Sequence, residues 1–233
     1  FSVSGATVNE IIDADADTKI QVEESSDEDK IRFDTGGTER VVIDSTGLTV
    51  SGQIITSTAG SNNVILGDGA GAAIESGGTR NVAIGSNAGA AITTGDFNVA
   101  VGFNALNAED TGTRSTALGY FALDSQNNDA ANHNTAVGEE ALKENTSGAQ
   151  NVAIGRNALY SNTGSHNSAF GRYANMLCTT GTENASFGYN AGYHTTTGAN
   201  NSNFGSGAQP TSATASNQVT LGDSAVNNLL LIS

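Results

Sequence analysis

Several residue types that stabilise or anchor proteins are scarce in this chain of 233 residues. There is one cysteine, Cys178, which excludes an internal disulfide framework, and there is one proline. Nine basic residues stand against 24 acidic ones, and the formal charge of −15 argues against direct nucleic-acid binding, which uses basic patches. No apolar run approaches the roughly 20 residues of a membrane helix, and no signal peptide is visible, so membrane insertion is not expected.

Glycine, in contrast, occurs 29 times, and many of these glycines mark an internal repeat. The unit is typified by Asn151 to Ala158, and successive copies lie 16 to 19 residues apart. Repeats of this kind decide the fold before any other pattern does. The ten copies centre on Gly67, Gly85, Gly102, Gly119, Gly138, Gly155, Gly171, Gly188, Gly205 and Gly222.

Each copy has the same arrangement of residue types around its glycine. An alanine follows three positions later in all copies, as at Ala88, Ala105 and Ala158, and a large apolar residue directly precedes the glycine. Asparagine stands four positions before the glycine in eight of the ten copies. The short alternation before the glycine predicts a strand, and the glycine predicts a turn that a Cβ would oppose. The unvarying alanine indicates the close approach of another backbone.

A unit of about 17 residues cannot bury its own apolar face, but stacked units can. The sequence therefore predicts an all-β fold, a parallel β-roll or β-helix of about ten coils that rises roughly 4.8 Å per coil. Equivalent residues would form ladders along such a solenoid. We expect the asparagines to form a hydrogen-bonded ladder at the coil corner and the large apolar column to form the core.

The repeat resembles the head repeats of trimeric autotransporter adhesins. The pattern Asn-x-Ala-Ile/Val-Gly-x-x-Ala, present at Asn81 to Ala88, Asn98 to Ala105 and Asn151 to Ala158, is similar to theirs, although the period here is longer. This resemblance implies left-handed parallel β-rolls in which three chains lie side by side. The same repeat occurs in phage tail fibres.

Two other parts of the chain resemble phage fibres more specifically. The stretches Asp17 to Glu24 and Asp29 to Gly37 are similar to a segment that is common in fibre proteins of marine phages. Asn217 to Ser224 is similar to the segment that often precedes a self-cleaving intramolecular chaperone in such fibres. The resemblance implies a natural end at Ser233 produced by chaperone cleavage.

The chain divides by pattern into four segments. Residues 1–17 form a leader, 18–62 a short β-meander, 63–226 the repeat solenoid, and 227–233 an apolar tail leading to a missing or cleaved segment. Because the chain begins with Phe1, we interpret it as a fragment, a processed product or the ordered part of a longer chain. The predicted meander strands carry the alternating apolar pairs Ile20/Val22, Ile31/Phe33, Val41/Ile43 and Leu48/Val50, which need oligomerisation for burial.

The leader contains one candidate metal site. Asp13, Asp15 and Asp17 place carboxylates at alternate positions, an arrangement of oxygen ligands that suits Ca²⁺. The glycine and the distal glutamate of a calcium-binding helix–loop–helix are missing. The alternative is a solvated acidic turn before a strand, with no cofactor.

No convincing catalytic constellation is found. The acid pairs Glu109–Asp110 and Glu139–Glu140 resemble glycosidase dyads, but adjacent side chains point to opposite sides of a strand, so a dyad would have to form between chains. Gly67 to Gly71 imitates a phosphate loop, but its glycines belong to the repeat and no lysine follows. Cys178 is interpreted as apolar packing. We therefore predict a protein that is not an enzyme.

Receptor contacts are expected in the loops and among the aromatic residues. The loop Ser125 to Asn134, which includes Asp129 and His133, is the longest, and such loops often form the binding face of a solenoid. Exposed aromatic rings near the glycines can stack on sugars or shield the seams of a trimer. The ring candidates are Tyr120, Phe121, Tyr160, Tyr173, Tyr189 and Tyr193, and the histidines His133, His166 and His194 are expected as exposed loop residues or ligands on a trimer axis.

The expected protein is a homotrimeric, elongated fibre segment of a bacteriophage tail, located on the virion. Its expected partners are two further copies of itself and a glycan or envelope receptor on the host cell. Two alternatives stay open: a trimeric adhesin on the bacterial surface, and a tailspike that cleaves capsular polysaccharide.

Overall fold

A computed structural model describes residues 60–128 and 132–225, together with five earlier strands. The chain divides into two compact units, 1–55 and 56–233. The described parts of both units are all-β and contain no helix.

The first unit is an antiparallel β-meander, as predicted for residues 18–62, but its first strand lies within residues 1–17, which were interpreted as a leader. Its strands lie in chain order, and each pairs with its neighbours; a β-bulge interrupts the register between Phe33 and Asp34. The strands are β1 (Glu10–Ile12), β2 (Thr18–Val22), β3 (Ile31–Thr35), β4 (Thr38–Asp44) and β5 (Gly47–Val50).

The predicted apolar residues of this unit occupy facing positions across the strands. Ile20 pairs with Phe33, and Val41 pairs with both Phe33 and Val50. Directly opposed residues of antiparallel strands share one face of the sheet, so the side chains of Ile20, Phe33 and Val41 belong to one apolar surface. Ile20, Ile31, Phe33 and Ile43 are nevertheless exposed, which means that the first unit leaves this surface uncovered.

The second unit is a parallel β-solenoid with one three-residue strand per repeat. Its ten strands pair in register with the preceding and following coils and span about nine turns. This confirms the predicted all-β fold with a parallel β-solenoid. The strands are β6 (Val64–Leu66), β7 (Val82–Ile84), β8 (Val99–Val101), β9 (Thr116–Leu118), β10 (Thr135–Val137), β11 (Val152–Ile154), β12 (Ser168–Phe170), β13 (Ala185–Phe187), β14 (Ser202–Phe204) and β15 (Val219–Leu221).

The prediction that the large apolar column forms the core was wrong. In each strand the middle residue points inward, so the residue that precedes the glycine points outward. Ala153, for example, is fully buried, whereas Ile154 next to it is exposed. Leu66 and Phe187, which occupy the same column as Ile154, are 66 % and 38 % exposed. The single chain thus presents a ladder of large apolar side chains to its surroundings.

The core is built instead from small residues and a few leucines. The alanine three positions after the glycine is buried in nine copies, including Ala88, Ala105 and Ala158. Close backbone approach occurs at the glycine itself: Gly155 has a φ of +136°, and a Cβ there would lie 2.6 Å from the carbonyl of Gly171. This supports the predicted turn role of the glycine column, while the alanine fills the narrow interior.

Two interior positions exchange volume from coil to coil. Where the residue four positions after the repeat glycine is a leucine, the residue three positions further is polar, as in Leu142 and Asn145. In two coils the first position is a glycine and the second is an isoleucine, as in Gly89 and Ile92, whereas a third coil combines Gly192 with Thr195. A Cβ on Gly89 would lie 2.8 Å from Cδ1 of Ile92, so the isoleucine occupies the space that the leucine fills elsewhere.

The asparagine column forms the predicted ladder. The Oδ1 atom of Asn98 accepts a hydrogen bond from the backbone N–H of Ser115 at 2.9 Å, and its Nδ2 donates to the carbonyl of Gly112 at 2.9 Å. The same pair of bonds recurs at Asn81 and Asn184. These buried amides satisfy backbone groups that would otherwise lack partners inside the coil. The left-handed corner residue is the one before each asparagine, rather than the asparagine itself.

Candidate functional site

Two of the predicted receptor-contact tyrosines belong to one surface cluster. Tyr120 stacks on Phe103, with centroids 5.5 Å apart, and meets Phe121 edge to face at 4.4 Å. Nζ of Lys143 lies 4.6 Å from the ring of Phe121 and 5.7 Å from the ring of Tyr160. We call these five residues the Tyr120 cluster. Tyr120 is half exposed, so the cluster is open to solvent.

Charged groups border the Tyr120 cluster. Nζ of Lys143 bonds Oε1 of Glu140 at 2.7 Å, and Nδ2 of Asn157 donates to Oε2 of the same carboxylate at 2.8 Å. The hydrogen bond from Lys143 lowers the pKa of Glu140, and the same bond raises the pKa of Lys143. Burial raises the pKa of Tyr160. This side of the cluster is therefore a fixed ion pair and offers little free charge to a ligand.

Tyr193 lies in a second group of rings. Its ring meets Tyr173 at 6.3 Å and His194 at 4.9 Å, both nearly perpendicular, and Tyr189 lies 6.3 Å from Tyr173. The structure therefore distributes the predicted aromatic candidates over two clusters. Of the other predicted contacts, His133 is an exposed corner residue, and Asp129 lies outside the described residues.

The acid pairs do not form dyads within the chain. Glu139 is exposed and contacts Arg156 at 3.3 Å, while Glu140 binds Lys143. Glu109 is fully buried, whereas Asp110 lies nearer the surface and accepts a hydrogen bond from the hydroxyl of Thr93. Neighbouring acids thus face different surroundings, although both pairs lie in the connections between strands rather than in the strands themselves.

Glu109 is the most unusual ionisable group of the solenoid interior. Its carboxylate accepts hydrogen bonds from the backbone N–H of Gly112 at 2.8 Å, Nε2 of Gln126 at 2.5 Å and Nδ2 of Asn132 at 2.9 Å. Burial nevertheless dominates these bonds and raises the pKa of Glu109. Its partners connect three coils, and Gln126 also donates to Ser115 at the one interior copy that lacks the ladder asparagine. We assign this group a structural role.

The structure places the candidate nucleophile Cys178 in the core. Cys178 is buried and its Sγ contacts the carbonyl of Gly181 at 3.7 Å; burial raises the pKa of this thiol to about 11. Among the described residues, no three His, Cys, Asp or Glu side chains approach one another closely enough to hold a metal ion. The calcium candidates Asp13, Asp15 and Asp17 lie outside the described residues. No described helix is long and apolar enough to cross a membrane.

Sequence reasoning missed one arrangement, an aromatic ring between two arginines. The guanidinium carbon of Arg80 lies 5.1 Å and that of Arg114 5.5 Å from the centroid of Phe97. All three side chains are exposed and occupy the same position in three consecutive coils, five residues before the repeat glycine. That shared position was the available signal: aligning the copies places Arg, Phe and Arg one above the other. We call these residues the Arg–Phe–Arg cluster.

The fold and these surface ladders define a class: a repeat protein built as a parallel β-solenoid, in which equivalent residues of successive coils form columns on the surface. Beyond that class, comparisons with protein families, curated proteins and solved structures gave no match.

Proposed function

We propose that this chain is a structural and receptor-binding segment of a bacteriophage tail fibre, and that it works as a homotrimer. The observation that carries the proposal is the outward apolar ladder of the solenoid. Leu118, Ile154, Phe187 and Phe204 are all more than one third exposed in the single chain, at equivalent positions of a parallel sheet. A continuous apolar strip of this kind on a protein surface marks an interaction site.

Repetition favours a copy of the same chain as the partner. The ladder repeats once per coil, so a partner with the same coil spacing can match it over the whole length. Another copy has that spacing by construction, and most soluble oligomers are closed assemblies of identical chains. The uncovered apolar face of the β-meander, which includes Ile20 and Phe33, supports the same conclusion for the first unit.

The fibre role rests on the resemblance of three stretches to phage fibre proteins. They are Asp17 to Glu24, Asp29 to Gly37 and Asn217 to Ser224. A fibre that attaches a virus needs many weak, repeated contacts rather than one deep pocket, because multivalency multiplies their effect. The two aromatic clusters and the exposed corner residues offer such repeated contacts along the solenoid.

Light scattering tests the assembly. We expect a particle of three times the 23.5 kDa chain mass. Phe187→Ser removes one member of the outward ladder and should weaken the trimer, so that monomer appears on dilution. Tyr189→Ser is the matched control, because Tyr189 is also exposed and lies two residues away but outside the ladder. A monomeric wild-type protein, or equal effects of the two substitutions, would contradict the proposed interface.

Attachment needs a separate test. Fluorescently labelled protein should remain on cells of some strains in a panel of marine bacteria, and unlabelled protein should compete for the same sites. Retention on none of the strains would contradict a receptor-binding role and leave the trimer to be judged by its mass alone.

A further inference from the structure

One exposed column of the solenoid has an unusual backbone. The residue five positions before each repeat glycine has a left-handed φ between 49° and 62° in all ten copies, and all ten are exposed. The column consists of Asn62, Arg80, Phe97, Arg114, His133, Gln150, His166, Glu183, Asn200 and Asn217.

Half of the residues in this column are of types that its backbone disfavours, since the other half are asparagine or histidine. Left-handed φ values suit glycine and asparagine and are disfavoured for arginine, phenylalanine and glutamine. Only three copies have asparagine, although every one of these side chains points into solvent, where the fold itself requires none of them. Strained residues that the fold does not need are concentrated at functional sites. The choice of side chain in this column therefore indicates an external ligand.

The Arg–Phe–Arg cluster is the most distinctive part of the column. The ring of Phe97 lies between the guanidinium groups, and cation–π contact of this kind orients both of them. Each guanidinium makes one long hydrogen bond within the described residues, from Arg80 to Thr79 Oγ1 at 3.3 Å and from Arg114 to Thr113 Oγ1 at 3.4 Å. Because a guanidinium has five N–H donors, most of them remain available to a ligand.

No carboxylate neutralises these arginines within the described ranges. Neither of them takes part in an ion pair there, although the chain has 24 acidic residues and only nine basic ones. The carboxylate linked to the cluster is Asp96, whose Oδ1 already accepts hydrogen bonds from the N–H and hydroxyl of Thr79 at 2.6 and 2.7 Å. Two cations that flank one ring and form no ion pair within the described residues make a local site for anions on an acidic protein.

We propose that the Arg–Phe–Arg cluster binds an acidic polysaccharide through its carboxylate groups. The arginines stand two coils apart, which is roughly 9.6 Å at the usual strand spacing. One small anion cannot bridge that distance, whereas a polymer with widely spaced carboxylates can bind both guanidinium groups, each in bidentate geometry. This inference names the ligand class for the attachment function proposed above and rests on it.

Nucleic acid fits the same surface less well. Its phosphates follow one another at about 3.4 Å along a strand, so a bound strand would place additional negative charges between and beyond the two arginines. Those charges would face a chain with a formal charge of −15. A sparsely charged polysaccharide satisfies the two arginines with less repulsion from the rest of the protein.

Affinity electrophoresis with hyaluronate in the gel, and with uncharged dextran as reference, tests the proposal, because hyaluronate carries a carboxylate only on every second sugar. The wild-type protein should be retarded by hyaluronate at low salt, and the retardation should fall as salt is raised. Arg80→Asn combined with Arg114→Asn should weaken binding at least about tenfold, since one bidentate contact to a carboxylate is lost at each site. These substitutions should not unfold the chain, because Asn62, Asn200 and Asn217 already occupy the same column.

A charge-matched control separates the site from the overall charge. Arg156→Asn combined with Arg172→Asn removes the same two charges from exposed positions outside the column and should change binding less than about twofold. Equal losses in the two double variants would overturn the proposal. So would unretarded wild-type protein, or stronger retardation by polyuridylate than by hyaluronate.

The outcomes distinguish this inference from the proposed function. If labelled protein binds bacterial cells but the Arg80→Asn/Arg114→Asn variant binds them equally well, the attachment role is supported and the acidic-polysaccharide site is contradicted. If hyaluronate is bound through the two arginines but no cells are bound, the anion site is supported and the attachment role is contradicted.

Discussion

The exchange of volume between two core positions allows a direct test of how the solenoid interior is packed. We consider transplanting the arrangement of Leu142 and Asn145 into the coil of Gly89 and Ile92. Gly89 has a left-handed φ of +54°, and Leu142 has nearly the same φ of 52°, so the backbone already has the shape that the leucine needs. The two changes are Gly89→Leu and Ile92→Asn, made singly and together.

Each single substitution should be destabilising. Gly89→Leu places its Cβ 2.8 Å from Cδ1 of Ile92, and such overpacking costs about 1–3 kcal/mol, with about 1–2 kcal/mol more for a leucine in the left-handed region. Ile92→Asn removes a fully buried side chain, which costs about 2–5 kcal/mol. If the two effects were independent, the double variant would lose about 4–10 kcal/mol.

Together they should largely compensate. The leucine fills the space of the isoleucine, and the new asparagine can bond the backbone of Gly95, as Asn145 bonds Gly148 at 2.8 and 2.9 Å. Only the backbone strain remains, so we expect a loss of about 1–2 kcal/mol in the double variant. Urea denaturation followed by far-UV circular dichroism measures all four free energies of unfolding. A double variant as unstable as the sum of its singles would refute this account of the core.

Three further predictions concern single residues. Asn98→Ala leaves the carbonyl of Gly112 and the N–H of Ser115 buried without these partners, so it should lower the free energy of unfolding in urea by about 2–6 kcal/mol; a loss below about 1 kcal/mol would show that the ladder does not stabilise the coils. Gly155→Ala should lower the free energy of unfolding by about 3 kcal/mol or more, because the φ of Gly155 is +136° and the added Cβ would contact the backbone of Gly171. An unchanged melting temperature would contradict this steric argument. Burial raises the pKa of Glu109, so the folded chain keeps this proton to higher pH than the unfolded chain, and its contribution to stability decreases as the pH rises from about 4.5 through the folded pKa. Glu109→Gln should therefore flatten the decrease in melting temperature over that pH range, and a variant with the same pH dependence as the wild type would exclude Glu109 as its source.

The sequence predicted the strands and turns of the solenoid more reliably than it predicted which side chains are buried. The glycine spacing gave one strand per repeat, and the asparagine column gave the ladder, because both patterns depend on backbone geometry that only a few residue types satisfy. The alternation in Val152-Ala153-Ile154 shows that two faces exist. It does not show which face is buried, because both faces are apolar.

The size of the side chains led to the wrong prediction of which strand face is buried, and the reason is physical. The interior is too narrow for a large side chain at the middle of the strand, since buried residues such as Ala158 and Leu159 approach it from other parts of the coil. Ala153 therefore lies inside, and Ile154 lies outside. The expectation that the larger of two apolar residues is buried holds only where the core is wide enough for its side chain. In this narrow solenoid the larger residues lie outside, where they form the apolar ladder.

The surface sites were less predictable than the fold. Tyr120 and Tyr160 share a cluster because Lys143 and Phe121 lie between them, which the spacing along the chain does not reveal. The linear sequence did not predict a site at Arg80 and Arg114, since these residues are 34 positions apart. Their common register position becomes informative only when the repeats are stacked and each coil is read against its neighbours.

The strict pairing of each solenoid strand with the strands before and after it has a consequence for the evolution of length. Because every coil repeats the same ladder contacts, a whole unit of about 17 residues can be gained or lost without breaking the column of asparagines or glycines. A partial unit would place each ladder residue opposite the wrong partner. The length of the solenoid can therefore change in evolution only in steps of one coil, about 4.8 Å.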